Sequence, residues 1–395
     1  MSFEIYHQLG FRDTWNIDSI QRHGSGDGVI ISPKNRKKEK VVSLGSKIKQ
    51  NAIFDPQFCN PSESIKQMST YDYYPSQIMP NGFDISTFSD YCSICAAKCV
   101  EFQKNNDFRY FIVPTCFHES IPDVDELTDL LYEQYISPFL CSIANTGSSK
   151  GIIVQLILNK HMIKNEDYAA NLLDWITGID NINGVYLITE LSPRDKQIKD
   201  PDFLYSLLKF IDALNQNELD IILGYLNTEA LLLSIANPSI VTIGSYENLR
   251  IFNPLNFSDK ENSQMRLPAP RIFIPELLDW IDFYYIELLI KKIPGFKKLL
   301  GENEYTDQML NPNYNMVSGK AEPYKHYFIE SSKQLRGIAQ FKDAERYDKL
   351  IDIIQSANNK YSEISEKGFE IGDYGSHLPA WLTAANMFAS EKGWR

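Results

Sequence analysis

The chain lacks the features that mark a membrane or secreted protein. It has 395 residues, and no apolar run approaches the ~20 residues that a membrane-spanning helix needs. The N-terminal segment contains acidic residues and no apolar signal core. Its six cysteines form no spaced framework of the kind that cross-links small secreted domains. We therefore expect a cytoplasmic protein with free thiols and no membrane contact.

The sequence also lacks the short motifs that identify many enzyme classes. It contains no serine nucleophile elbow, no phosphate-binding loop signature and no dinucleotide fingerprint. Its six histidines show neither HxH nor HExxH spacing. The formal net charge of -12 argues against a surface that coats nucleic acid, although a local basic site remains compatible with it.

The composition is that of an ordinary globular protein, with 43% hydrophobic and 23% charged residues. The 22 tyrosines and 22 phenylalanines supply bulk for a large core. The length suits one large domain with an appendage, or two domains.

Alternating strand and helix patterns organise most of the chain. Between residues 184 and 250, three apolar segments each end in a polar cluster and are separated by helical patterns. Counting outward at the same spacing predicts eight strands, at residues 28–33, 52–56, 109–116, 151–159, 184–191, 220–227, 240–246 and 271–277.

Eight such units fit the ~250 residues of a (β/α)8 barrel. We therefore predict an α/β fold, a TIM-type barrel with a helical C-terminal extension. An open doubly wound parallel sheet is the alternative, because it has the same alternation. The predicted barrel spans residues 1–294 and includes a long loop at 57–83, which is functional or a lid, and the extension spans 295–395.

Acidic residues at the ends of the predicted strands are the candidates for catalysis. In a parallel barrel the C-terminal ends of the strands form one mouth, where active sites lie. Asp55, Glu190 and Glu247 are predicted to converge there as a general acid with a base or nucleophile. Asp55 is the strongest candidate, since it follows an apolar strand within FDPQF. Glu229 is the weakest, because it also fits the first turn of a helix.

Polar and basic residues near the same strand ends are candidates for binding substrate. A basic loop, SPKNRKKEK, follows the strand predicted at 28–33 and suits a phosphate group, although a solvated loop is the commoner explanation. The tyrosine-rich segment 71–75 offers rings for stacking or for simple packing. The predicted substrate-binding residues are Gln57, Asn159, Asn227, Ser245, Asn248, Arg250, Arg36, Lys37 and Lys38.

No cofactor or metal is expected. Cys92, Cys95 and Cys99 share one helical face, but no second cluster supplies further ligands. His118 and His161 follow predicted strands, and a metal held by them with Asp55 is a minor alternative.

These observations predict a barrel enzyme, a hydrolase or glycosyltransferase, that cleaves or transfers a glycosidic or N-glycosidic bond. Its partner would be a phosphate-bearing or nucleotide-like small molecule, or a nucleic-acid strand. The alternative is a catalytically inactive barrel scaffold that binds nucleic acid or a partner protein, through 57–83 or 295–395.

Overall fold

Eight parallel strands form the central sheet of the protein. The computed structural model describes residues 2–59, 65–192, 196–257 and 269–395. The strands are β1 Glu4–Gln8, β2 Gly28–Ile31, β3 Ala52–Phe54, β4 Phe111–Val113, β5 Ile152–Leu158, β6 Gly184–Thr189, β7 Asp220–Leu223 and β8 Ile240–Gly244.

The sheet curls until its first and last strands meet. β1 pairs with β2 on one side and with β8 on the other, where Glu4 lies opposite Ile240 and Gln8 opposite Gly244. The sheet order β3-β2-β1-β8-β7-β6-β5-β4 leaves β3 and β4 as its two edges. A backbone hydrogen bond from Arg109 N–H to the Ala52 carbonyl, at 3.0 Å, crosses that seam. The fold is thus a nearly closed (β/α)8 TIM-type barrel, as predicted.

The number of barrel strands agrees with the prediction, but their assignment is shifted by one. β1 lies in the N-terminal segment, for which no strand was predicted. Its sequence, EIYHQ, is short and contains three polar residues in five, so it does not resemble a buried barrel strand. His7 and Gln8 are nevertheless fully buried. These two polar residues therefore lie inside the protein, although a polar sequence of this kind is typical of a surface loop.

The strand predicted at 271–277 does not belong to the barrel. β9, Arg271–Ile274, pairs antiparallel with β10, Asp279–Asp282, in a separate two-stranded sheet. Leu278 turns the chain between them with a positive φ of 54°. RIFI is apolar because the hairpin packs against a long C-terminal helix, and such a segment cannot be told from a barrel strand by pattern alone.

Seventeen α-helices lie in the described ranges, most of them around the barrel. They are α1 Thr14–His23, α2 Lys38–Val42, α3 Ser46–Gln50, α4 Pro75–Ile78, α5 Cys92–Asn105, α6 Val124–Leu131, α7 Ser137–Ala144, α8 Lys160–Lys164, α9 Glu166–Thr177, α10 Pro201–Gln216, α11 Ala230–Leu233, α12 Ile286–Lys292, α13 Phe296–Leu299, α14 Glu304–Met309, α15 Glu322–Ala339, α16 Asp343–Glu366 and α17 Leu378–Glu391.

The C-terminal helices pack on the barrel and its hairpin. α15 contacts α1 and β9, and α17 contacts α10. Arg346 of α16 is fully buried and donates to the carbonyl of Ser234, at 2.8 Å, and to the side chain of Asn237, at 2.7 Å. The helical C-terminal region therefore shares its core with the barrel. No helix in the described ranges has both the length and the apolar content needed to cross a bilayer.

Candidate functional site

Two polar sites lie at the C-terminal ends of the barrel strands. We call the first the chamber, because it is enclosed within the barrel. It is formed by inward-facing side chains of strands and strand ends, which are Gln8, Ser32, Asp55, Gln57, Gln155 and Tyr186. All six are at most 1% exposed. Below them, isoleucines fill the barrel, so the chamber is a polar layer on an apolar base.

Asp55 is the only charged group among the six chamber residues. Its Oδ1 accepts hydrogen bonds from the Gln155 side chain and from the Gln57 backbone N–H, both at 3.0 Å. Burial raises the pKa of Asp55 from 3.8 to about 6, although these bonds and the nearby Tyr186 hydroxyl lower it. A carboxyl group with this pKa can be both protonated and ionised near neutral pH.

Several polar atoms of the chamber have no hydrogen-bond partner among the described residues. They are both amide atoms of Gln8, the Gln155 Oε1 and the Tyr186 hydroxyl. The Tyr186 hydroxyl lies close to Asp55 and Gln8, but without the geometry of a hydrogen bond. Gly224 makes room for it, since a Cβ there would lie 2.5 Å from the Tyr186 ring. Buried polar groups are usually paired, so these atoms require an explanation.

An aromatic roof covers the chamber. It consists of Phe252, Phe257 and Tyr225, each less than 5% exposed, with neighbouring ring centroids 5.4 and 5.5 Å apart. Gln57 reaches the roof by donating to the Tyr225 hydroxyl at 3.2 Å. Lys34 contacts the roof at Phe257: its Nζ donates to the Asn256 carbonyl and lies 4.4 Å from the Phe257 ring centroid. The chamber is therefore closed in this structure.

The second site, which we call the cleft, is open to solvent. It has a volume of about 400 Å³ and lies where loops after β1, β2 and β8 meet the hairpin and residues 316–324. The residues that line it include Gly10, Glu247, Arg250, Trp280, Lys320 and Tyr324. In TIM-type barrels, the loops after the last two strands commonly bind phosphate.

Arg250 lies in the wall of the cleft. It is only 5% exposed, and its Nε and Nη1 have no hydrogen-bond partner in the described part of the chain. Its guanidinium lies 4.1 Å from the ring centroid of Trp280 and 5.4 Å from that of Tyr327. The indole Nε1 of Trp280 is likewise buried without a partner. The unpaired nitrogen atoms of Arg250 and Trp280 are all donors, which is the set that an anion satisfies.

Arg250 forms no ion pair with any residue in the described ranges, although the charges of Glu247 and Glu229 act on it. Glu247 is paired instead with Arg271, at 3.5 Å. Glu229, fully buried behind the cleft, accepts from the Asn227 N–H at 2.8 Å, and its other carboxylate oxygen has no partner in the described ranges. Burial raises the pKa of Glu229 to about 7, and the charge of Arg250 lowers it only in part. Burial also lowers the pKa of Arg250.

The three predicted catalytic carboxylates lie at different places around the mouth. Asp55 is in the chamber, and Glu247 is half-exposed in the cleft. Glu190 is half-buried at the end of β6, where its backbone pairs with Phe252 of the roof. The roof therefore lies between Asp55 and the solvent, and the joint catalytic role of the three carboxylates stays a prediction.

Six of the nine predicted substrate-binding residues divide into three groups. Arg250 and Asn248 line the cleft, and Ser245 is buried just before them with its hydroxyl unpaired among the described residues. Gln57 belongs to the chamber. Asn159 caps α8 by accepting from two backbone N–H groups, and Asn227 donates to the Lys196 carbonyl. The caps and backbone bonds give these two asparagines structural roles in this structure.

The three basic residues predicted to bind substrate, Arg36, Lys37 and Lys38, do not line the cleft, although Asn35 of the same loop does. Arg36 forms an ion pair with Asp13, and Lys38 forms one with Asp72 at 2.7 Å. Lys37 is exposed. The nearby Tyr71, Tyr73 and Tyr74 are buried against the phenylalanines of the core, so their faces are not free to stack on a ligand.

No group of three or more His, Cys, Asp or Glu side chains in the described ranges is arranged to hold a metal ion. His118 Nε2 lies 3.1 Å from the buried Cys116 thiol, and burial lowers the pKa of His118. Burial raises the pKa of the Cys116 thiol to about 11, which keeps it protonated. Cys92, Cys95 and Cys99 are buried in the core of α5.

Gln8, Gln155, Tyr186 and Trp280 were not among the predicted site residues. Gln155 could have been predicted from the sequence, because it is the only polar residue within the apolar strand IIVQLIL. Nothing in the sequence pattern indicates that Trp280 belongs to the site, because it lies in the hairpin and not at the end of a barrel strand.

The chain is a TIM-type barrel with an open cleft, lined in part by Arg250 and Trp280, beside a polar barrel interior. Comparison of the chain with protein-family models, with curated proteins and with solved structures found no match. The function must therefore be argued from the site.

Proposed function

We propose that the protein is a barrel enzyme that binds a phosphate-bearing, nucleotide-like molecule and cleaves or transfers its glycosidic or N-glycosidic bond. The observation that carries the proposal is the group of unpaired, buried donors on Arg250 and Trp280 at the cleft. In a chain of net charge -12, a buried arginine without a carboxylate partner is best explained by an anionic ligand.

The carboxylates supply the chemistry that the proposal needs. Asp55, with its raised pKa, is suited to donate a proton to the leaving nitrogen or oxygen. Glu247, in the cleft, is suited to support the positive charge that develops on the sugar or to activate water. In hydrolysis the glycosidic bond breaks, the leaving group departs with the proton, and the hydroxyl of water joins the sugar carbon.

The binding half of the proposal is tested by calorimetry with inorganic phosphate, ribose 5-phosphate and adenosine 5′-monophosphate. The variant Arg250→Met should weaken binding by ~30-fold or more, because it removes the charged donor from a buried site. Its effect on stability should be small, since the guanidinium forms no ion pair in the described ranges and the methionine side chain keeps contact with the Trp280 and Tyr327 rings. Equal binding by Arg250→Met and the wild type would refute the proposal.

Arg346→Met is the matched control. This second buried arginine is fully hydrogen-bonded, to the carbonyls of Phe341 and Ser234 and to Asn237. Its replacement should lower stability but leave ligand affinity unchanged.

The catalytic half is tested by following release of the free base from nucleoside 5′-monophosphates. Glu247→Gln should reduce kcat ~100-fold or more while Arg250→Met acts mainly on KM. If wild type binds ligand and releases no base, the glycosidic chemistry is wrong and the binding site stands.

A closed barrel supports a second candidate, a catalytically inactive scaffold for nucleic acid or a partner protein. Asp55 is 1% exposed beneath the roof, and Phe11, at 75% exposed, and Val317, at 47%, are apolar residues at the rim of the cleft. Exposed apolar residues around a basic cleft suit a macromolecule. Binding of an oligonucleotide through Arg250, without turnover of any mononucleotide, would favour this candidate.

A further inference from the structure

The open cleft has room for more than the anion that Arg250 would bind. Its volume of about 400 Å³ falls within the ~300–1,000 Å³ of sites that bind small organic molecules. Arg250 and Trp280 form only part of its lining, and many of the other lining side chains are apolar or aromatic. The rest of the lining therefore indicates what the ligand carries besides an anionic group.

Three neighbouring aromatic side chains extend from Arg250 along the cleft, and we call them the aromatic wall. The ring of Trp280, which lies against Arg250, has its centroid 6.1 Å from that of Tyr324. The Tyr246 centroid lies 4.9 Å from that of Tyr324. All three residues line the cleft, and both tyrosines are half-buried. The aromatic wall is therefore continuous with the anion site.

Trp15 supports the aromatic wall without lining the cleft. Its ring stacks on that of Tyr324, with centroids 5.5 Å apart and an angle of 19° between the planes. It also lies 6.2 Å from the Tyr246 ring centroid. The two tyrosine rings are therefore held in place before any ligand binds, which lowers the entropy cost of stacking on them.

Phe11 adds an exposed ring to the same cleft. It is 75% exposed, and it follows Gly10, which brings this loop against Leu249 because a Cβ there would lie 2.4 Å from the Leu249 Cδ1. Arg12 ties the loop to residues 316–320 by donating to the Gly319 carbonyl. Exposed apolar side chains that gather at one cleft, and are not scattered over the surface, are typical of a binding site.

A flat ring joined to a phosphate fits an aromatic wall that begins at an anion site. Aromatic side chains gain energy by stacking on a heterocycle, and they do so with any base because every base has a flat face. Asn248 and Asn256 also line the cleft, and side-chain amides are groups that pair with the polar edges of bases.

We infer that the cleft binds an aromatic heterocycle together with the phosphate, so that its ligand is a nucleoside 5′-monophosphate whose base stacks on Phe11, Tyr246 and Tyr324. The inference rests on the proposed function in one respect, which is that the phosphate binds at Arg250. It does not involve Asp55, which lies beneath the roof. Ribose 5-phosphate carries the phosphate without the ring, so the contribution of the ring can be measured apart from anion binding.

The test is calorimetry with ribose 5-phosphate and adenosine 5′-monophosphate. The wild type should bind adenosine 5′-monophosphate ~10-fold or more tightly than ribose 5-phosphate, which is the gain expected from one stacked base. Phe11→Ala should lower the affinity for adenosine 5′-monophosphate ~5-fold or more and leave that for ribose 5-phosphate unchanged. Because Phe11 is largely exposed, this variant should keep the thermal stability of the wild type.

Tyr246→Leu is a second variant, which keeps an apolar side chain in the aromatic wall but removes the ring. It should also lower the affinity for adenosine 5′-monophosphate and spare ribose 5-phosphate. Tyr284→Ala is the matched control, because Tyr284 is 87% exposed and does not line the cleft. This control should bind both ligands as the wild type does.

The outcomes separate this inference from the proposed function. If the wild type binds the two ligands equally and Arg250→Met weakens both, the anion site stands and the inference is wrong. Unchanged affinity for adenosine 5′-monophosphate in both Phe11→Ala and Tyr246→Leu would also overturn it. If neither ligand binds the wild type, the proposed function fails and the inference fails with it.

Discussion

The cleft and the chamber lie on the same face of one barrel and differ in which polar atoms are left unpaired. In the cleft these are the donor nitrogens of Arg250 and Trp280. In the chamber they are both amide atoms of Gln8, an amide oxygen of Gln155 and a hydroxyl. The cleft is open and the chamber is roofed. The difference teaches that the two sites bury different kinds of unpaired group: donor nitrogens beside the open cleft, and donors together with acceptors in the closed chamber.

The largest expected effect is a pH-dependent change in the free energy of unfolding, caused by Asp55 of the chamber. Asp55→Asn should stabilise the protein by up to ~3 kcal/mol at pH 8, by much less at pH 4 and by almost nothing near pH 2. The pKa of Asp55 is raised in the folded state from 3.8 to about 6, so its charged form costs stability once the pH exceeds the lower of these values, and the full cost is reached above the higher. Well below 3.8 the carboxyl is protonated in both states and the cost disappears. Denaturant unfolding across this range measures the difference.

Asp200→Asn is a control of opposite sign. Although burial opposes it, bonds from Lys160 and the Phe203 N–H lower the pKa of Asp200 to about 2. Its charged form is therefore stabilising above pH 4, and this contribution is lost as the pH falls towards 2. Asp200→Asn should destabilise at pH 7. A stability difference for Asp55→Asn that is the same at pH 4 and pH 8 would contradict the account of the chamber.

A smaller effect is expected from the indole of Trp280. Trp280→Phe keeps an aromatic ring against Arg250 and removes the unpaired N–H together with the five-membered ring of the indole. Affinity for phosphate-bearing ligands should fall ~10-fold or more, the value of one hydrogen bond to a charged group. Calorimetry with inorganic phosphate measures the change, and an unchanged affinity would show that the indole N–H does not contact the anion.

The smallest effect concerns Glu229, the buried acid behind Arg250. Its pKa is raised from 4.5 to about 7, so it is ionised at pH 8. Its negative charge then partly neutralises the positive charge of Arg250 and weakens the attraction of Arg250 for a bound anion. Glu229→Gln should therefore raise phosphate affinity ~3-fold at pH 8. At pH 5.5 Glu229 is already neutral, and the variant should match the wild type. Calorimetry at both values of pH tests this difference.

The periodic part of the architecture could be predicted from the sequence. Seven of the eight barrel strands overlap predicted strands, because each is an apolar run that ends in a polar cluster. β1 was missed because its inward-facing residues, Glu4, Tyr6 and Gln8, do not form an apolar run. The hairpin was misassigned because burial under a helix and burial in a barrel produce the same apolar pattern.

The candidate site could be predicted only where a polar residue directly follows a strand. That rule identified Asp55, Glu247 and Arg250. It could not identify Trp280, whose place over Arg250 depends on how the hairpin packs. It also could not show that Phe252 and Phe257 cover Asp55, because this results from the path of a loop whose sequence has no period.

One short segment connects the two sites. Arg250 faces the cleft, whereas Phe252, two residues later, covers the chamber. Asn256 lines the cleft and Phe257 the roof, so the segment has one side in each site. Any movement of this segment therefore changes the cleft and the roof together. If such a movement couples ligand binding at Arg250 to the packing of the roof, thermodynamic linkage makes the coupling reciprocal.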